Sequence, residues 1–142
     1  MPDYWSLDPE VAGEIGDASV LDASVHPPAV SKLQYRLSGW LGDDLLETFA
    51  CFIATESLAS ELEAAGFTGF HLDTVEIARS PEFDELYPGR QLPEFRWLKV
   101  TGRAGADDLG LSDAHRLVVS TRVLEALRRH QIEHCDVERF KS

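Results

Sequence analysis

Cysteine is scarce in this chain, with Cys51 and Cys135 the only two in 142 residues. That is too few for a disulfide framework or a zinc knuckle, so both read as small buried apolar side chains in a reducing compartment. Long apolar runs are missing as well. Nothing approaches the roughly 18 to 20 residues that span a bilayer. The opening Met1-Pro2-Asp3-Tyr4-Trp5 has neither the basic region nor the apolar stretch of a secretion signal, and a cytoplasmic location without a membrane partner is expected. There is no GxSxG, P-loop or GxGxxG, and Gly102-Arg103-Ala104-Gly105-Ala106 lacks the spacing and the lysine of a phosphate cradle. Positive charge is the most uneven absence. Between Leu37 and Ala78 there is no Lys or Arg, while Asp43, Asp44, Glu47, Glu56, Glu61, Glu63, Asp73 and Glu76 supply eight acids. The whole chain carries 13 basic against 25 acidic residues, a net charge of −12. Such a field repels phosphate backbones and excludes nucleic acid as the expected partner. It fits a basic protein partner, or a solvated acidic surface that serves only solubility.

What is present begins with a repeat. A 22-residue pattern runs from Phe52 to Asp73 and again, 65 positions later, from Leu117 to Glu138. In each copy an apolar run meets a hydroxyl residue, Thr55 or Ser120, then an amphipathic stretch, then a second short apolar segment. Residues 52, 53, 54, 58, 59, 62, 67, 70 and 72 and their partners are all apolar, as a strand, a capped helix and a second strand require. Gly66 ends the first helix as a C′ residue. The outward charges differ: Arg122, Arg128 and Arg129 stand where the first helix has Ser57, Glu63 and Ala64.

Elsewhere, Tyr4 to Leu7 reads as a strand followed by irregular chain through His26-Pro27-Pro28. Leu33 to Leu37 alternates as a half-buried strand. Leu45 to Ala54 is read as one strand, because Thr55 then caps the helix behind it. Val75 and Ile77 fall out of phase with Phe70 and Leu72, which a bulge near Asp73 and Thr74 would explain. The connector from Thr74 up to Leu111 contains the turn signals Ser80-Pro81 and Tyr87-Pro88-Gly89, a strand from Phe95 to Val100, and a Gly and Asp-rich loop from Gly102 to Gly110. The expected fold is one α+β domain spanning 1–142, a mixed sheet with two similar strand–helix–strand units, at about 52–73 and 117–138, and helices packed on the sheet.

The second unit, from Asp108 through Leu111, Leu117-Val118-Val119-Ser120-Thr121 and Val123 to Leu127 and on to Phe140, resembles the C-terminal part of the bacterial double-CxxCG family, whose members include immunity proteins of toxin-exchange systems. The opening Tyr4-Trp5-Ser6-Leu7 with later strand-Ser/Thr-helix units is similar to bacterial immunity-type proteins more broadly. The defining CxxCG pairs are absent, so their zinc sites do not carry over, and no functional residue transfers. The resemblance implies an immunity-type binding protein without known catalysis, and no cofactor is expected.

Two arrangements could carry function. The acidic region, with Trp40 beside Asp43 and Asp44, has the make-up of an interface anchor in a negative rim. Its candidate residues are Trp40, Asp43, Asp44, Glu47, Glu56, Glu61 and Glu63, and reversing Asp43 and Asp44 is expected to leave stability within about half a kcal/mol. The bland reading is that Trp40 and Trp97 close core edges. The alternative is a metal-dependent or small-molecule enzyme using His71, Asp73, His134 and Asp136, since His71-Leu72-Asp73 and His134-Cys135-Asp136 would each set an imidazole and a carboxylate on one strand face. The favoured expectation is no metal and a basic protein partner.

Overall fold

The computed structural model describes residues 3–22, 24–25, 29–48 and 51–141. Strand β1 (Tyr4–Asp8) is followed by β2 (Gly13–Ile15), β3 (Val20–Asp22), β4 (Ala29–Lys32) and β5 (Gln34–Leu37). The first unit comprises β6 (Leu45–Thr48), β7 (Cys51–Thr55), helix α1 (Glu56–Ala64) and β8 (Phe70–Thr74). The connector holds β9 (Glu76–Arg79), helix α2 (Pro81–Leu86) and β10 (Phe95–Val100). The second unit comprises β11 (Leu109–Leu111), β12 (Leu117–Ser120), helix α3 (Thr121–Arg128) and β13 (Asp136–Arg139).

The two units fold alike. Thr55 and Ser120 sit extended and cap their helices, with Thr55 Oγ1 accepting from Leu58 N at 3.4 Å and Ser120 Oγ from Val123 N at 3.3 Å. Gly66 takes the left-handed φ of +72° that ends the first helix without a Cβ penalty. Each unit builds a four-stranded sheet in the same spatial order, β6-β7-β10-β8 and β11-β12-β1-β13. The central strand, β10 or β1, runs antiparallel to both neighbours, so each helix links two strands that another strand separates. In the second sheet that central strand comes from the opposite end of the chain.

Eight of the nine apolar positions shared by the copies meet in one core. Phe52, Ala54, Leu58, Ala59 and Leu62 are buried with Leu117, Val119, Val123, Leu124 and Leu127, and Phe67, Phe70 and Leu72 pack at its edge with Ile132, Cys135 and Val137. The ninth pair, Ile53 and Val118, falls on the other strand face. Ile53 enters a second core with Cys51, Leu46, Trp97 and Phe95, closed by Leu33, Tyr35 and Leu37 and by Phe83 of α2. β7 is therefore buried along its whole length, because both of its faces are covered.

The chain is one α+β domain; among the described residues it has three helices, and its strands are shared among four sheets, two of four strands, one of three and one of two. The segment read as one strand from Leu45 to Ala54 is two antiparallel strands, with Thr48 paired to Cys51; residues 49 and 50 lie outside the described residues, as does His26-Pro27-Pro28. The phase slip after Leu72 is a change of sheet. β8 ends at Thr74, and β9 then pairs in parallel with β5, carrying Val75 and Ile77 to the second core. The region read as irregular before residue 30 contains β2 and the β3–β4 hairpin, and Ser80-Pro81 opens α2 with Ser80 as its cap. Among the described residues no helix is long and apolar enough to cross a membrane.

Candidate functional site

The acids of the Gly42 turn point inward. Gly42, at φ +105°, lets the chain reverse so that the next two side chains face the second unit. Asp43 is fully buried: Oδ1 accepts from Glu133 N at 3.1 Å and Oδ2 from His134 N at 2.7 Å, while His134 Nδ1 lies 3.1 Å from Oδ1. Asp44 accepts from Thr55 Oγ1 at 3.0 Å through Oδ1 and from Gln131 N at 2.8 Å through Oδ2. Asp108 does the same work in the other direction, accepting from Ser120 Oγ at 3.0 Å through one oxygen and from Thr68 N at 3.0 Å through the other. Each unit's helix cap thus leans on an aspartate that also ties down the turn after the other unit's helix.

The remaining candidates are mostly neutralised within the fold. Glu61 accepts from Arg129 Nη2 at 2.5 Å and lies 3.0 Å from His130 Nε2, so the acidic and basic helices of the repeat complement each other. Glu56 pairs with Arg96 at 3.6 Å and Asp73 with Lys99 at 3.8 Å. Glu47 is half-buried, and burial together with the Asp8 charge raises its pKa. Trp40 belongs to the second core: its indole N–H donates to the Asp43 carbonyl at 2.9 Å, and Arg90 stacks on its ring at 4.5 Å. Of the seven interface candidates only Glu63 is freely exposed without an ion pair among the described residues. The expected continuous negative face around Asp43 and Trp40 is therefore replaced by a buried seam, in which the backbone of residues 131 to 134 takes up Asp43 and Asp44, while bases from residues 96 to 129 reach Glu56, Glu61 and Asp73.

The strength of the Glu61 contact is testable by pH. The His130 and Arg129 hydrogen bonds hold the Glu61 carboxyl below its ordinary value of 4.5. A depressed carboxyl contributes stability above the unfolded value and loses it as pH falls through the folded one. Denaturant unfolding of the wild type and Glu61→Gln should accordingly differ most above pH 4.5 and converge in stronger acid, with the gap narrowing as salt is added.

The four residues of the metal alternative do not come together. His71 and Asp73 lie on β8 of the first sheet, whereas Asp136 starts β13 of the second and His134 precedes that strand in a turn. His134 instead meets two other acids. Ligand atoms of Glu10, Asp43 and His134 all lie within 4.8 Å of one another, the one such group of three among the described residues. Glu10 is held by an isolated parallel bridge to Leu46, and its Oε2 accepts from Leu41 N at 2.7 Å. Its Oε1 is buried without a hydrogen-bond partner. The Asp43 carboxylate holds His134 above its ordinary value of 6.5. No sequence signal separates Glu10 from the other surface acids; the set converges from three distant segments.

Cys51 and Cys135 are free thiols, pushed by burial to about 11 and about 12, which keeps both protonated and unreactive near neutrality. No family model matches the chain, and no curated protein is significantly similar to it.

Proposed function

We propose that the protein is a non-catalytic, cytoplasmic binding protein, immunity-like in role, that engages a basic protein partner. Seven acids pair with Lys or Arg, leaving 18 of 25 acids against 6 of 13 bases without such a partner among the described residues. The surface best suited to use that surplus is α2, and this one observation carries the reading. Three of its six residues, Glu82, Asp84 and Glu85, are exposed acids, of which only Asp84 has an ion pair among the described residues, with Arg79 at 3.8 Å; the helix is anchored only through Phe83, and Leu86 is 66% exposed at its end. A cleft of about 490 Å³ beside its first turn is lined by Gly13, Glu14, Arg36, Ser38, Ser80 and Glu82. A first-turn backbone N–H and Ser80 hold the Glu82 carboxyl below its ordinary value, so the charge persists into mild acid. An exposed apolar anchor beside Glu82 and Glu85, two acids without a Lys or Arg partner among the described residues, suits a partner that presents Lys or Arg around an apolar side chain. Two unpaired thiols agree with a reducing compartment.

The test is to cross-link the partner in cells, purify the pair and measure association by stopped flow. The on-rate should fall about tenfold or more between roughly 0.05 and 0.5 M salt, and again in Glu82→Lys/Glu85→Lys, with stability unchanged within about half a kcal/mol. An on-rate indifferent to salt and to both reversals would sink the proposal.

A further inference from the structure

We propose that Glu10, Asp43 and His134 form a binding site for a divalent cation of the zinc type. The ligand types are right for it: one imidazole nitrogen and two carboxylates are the donor set accepted by zinc and its neighbours in the first transition row. The charge balance asks for a cation. Glu10 and Asp43 place two carboxylates, 7% and 0% exposed, against one imidazole, and neither pairs with a Lys or Arg among the described residues. Buried carboxylates without a matching positive charge are strongly unfavourable. Glu10 supplies an independent sign of a missing partner, because its buried Oε1 receives no hydrogen bond while Oε2 is satisfied by Leu41 N.

The geometry needs little adjustment. Two ligands held at about 2.0 to 2.2 Å from one ion at tetrahedral or octahedral angles stand roughly 3 to 3.5 Å apart. His134 Nδ1 and Asp43 Oδ1 stand 3.1 Å apart. An ion replacing the imidazole proton would take the remaining lone pair of Oδ1, whose other partner is Glu133 N, so the backbone hydrogen bonds of Asp43 survive binding. The Glu10 oxygen, within 4.8 Å of both, completes the set by a side-chain shift of about an ångström. The His134 side chain is 39% exposed, which gives the ion an entry path and leaves room for water as a further ligand. The inference is independent of the α2 docking face, which shares none of these residues.

The test is calorimetric titration of chelator-stripped protein with zinc alone, together with elemental analysis of protein purified without chelator. About one zinc per chain is expected, with affinity reduced at least about tenfold in both Glu10→Gln and His134→Ala, the scale that even outer partners of metal ligands reach. His71→Ala, on the exposed edge strand β8, should bind as the wild type does. Glu10→Gln keeps an acceptor for Leu41 N–H and His134→Ala leaves Asp43 bonded to its two backbone amides, and circular dichroism of each variant checks that the fold is retained. A chain that takes up no zinc at about millimolar concentration overturns the site. Uptake unchanged in both variants, or lost equally in His71→Ala, also overturns it, because the metal would then lie on another histidine.

Discussion

Alanine at position 43 should lower the free energy of unfolding by about 3 kcal/mol, measured by urea denaturation in chelator at neutral pH. The size follows from what the carboxylate holds. Its two oxygens accept the backbone N–H groups of Glu133 and His134 at 3.1 and 2.7 Å and face the His134 ring, in a position with no solvent access. Removal strands those donors together and frees the turn that leads into β13, the edge strand of the second sheet. Asparagine retains one acceptor oxygen and the shape, so Asp43→Asn should cost about half as much. Glu63→Ala, at an exposed acid of the same sequence region, should cost no more than about half a kcal/mol. Equal small effects at positions 43 and 63 would show that the Gly42 turn is a surface feature after all.

The contrast between those two acids marks where the sequence stopped being readable. Periodicity reports which face of an element is apolar, and the repeat carries that information twice. The copies are therefore legible down to their capping hydroxyls, Thr55 and Ser120, and eight of their nine shared apolar positions fill one core. A turn acid carries no comparable signal. Gly42-Asp43-Asp44 has the composition of any exposed reversal, and its burial is decided by residues 131 to 134, about ninety positions away. Glu10 is hidden for the same reason, since nothing local says that Leu41 N will come to meet it. Charge pairing is hidden by the same route: the acids of residues 43 to 73 look unopposed along the chain, yet Arg96, Lys99, Arg129 and His130 reach several of them across the fold.

Strand boundaries were lost where burial is two-sided. Alternation vanishes when both faces of a strand are covered, so the run from Leu45 to Ala54 does not announce its own reversal. Val75 and Ile77 kept their alternation but changed the core they served, which reads as a bulge when only one sheet is imagined. The short helix α2 escaped notice because six residues with a single buried side chain, Phe83, make less than two turns of pattern.

Leu62→Ala and Leu127→Ala should each lower stability by roughly 2 to 5 kcal/mol, the largest effects expected of any single exchange here. The two leucines occupy equivalent places in the repeat, one on α1 and one on α3, and both are buried in the core that the two units share. Truncation removes the same apolar volume from either side and leaves a cavity that the capped helices, fixed at their ends by Asp44 and Asp108, cannot collapse to fill. Because both side chains line one core, the double variant should depart from the sum of the singles by about 0.5 kcal/mol or more. Leu62→Ala combined with Phe83→Leu should instead add within about 0.5 kcal/mol, since Phe83 belongs to the second core on the far face of β7. Simple additivity of Leu62→Ala with Leu127→Ala, or a cost below about 1 kcal/mol for either alone, would mean that the two units do not share one packed interior.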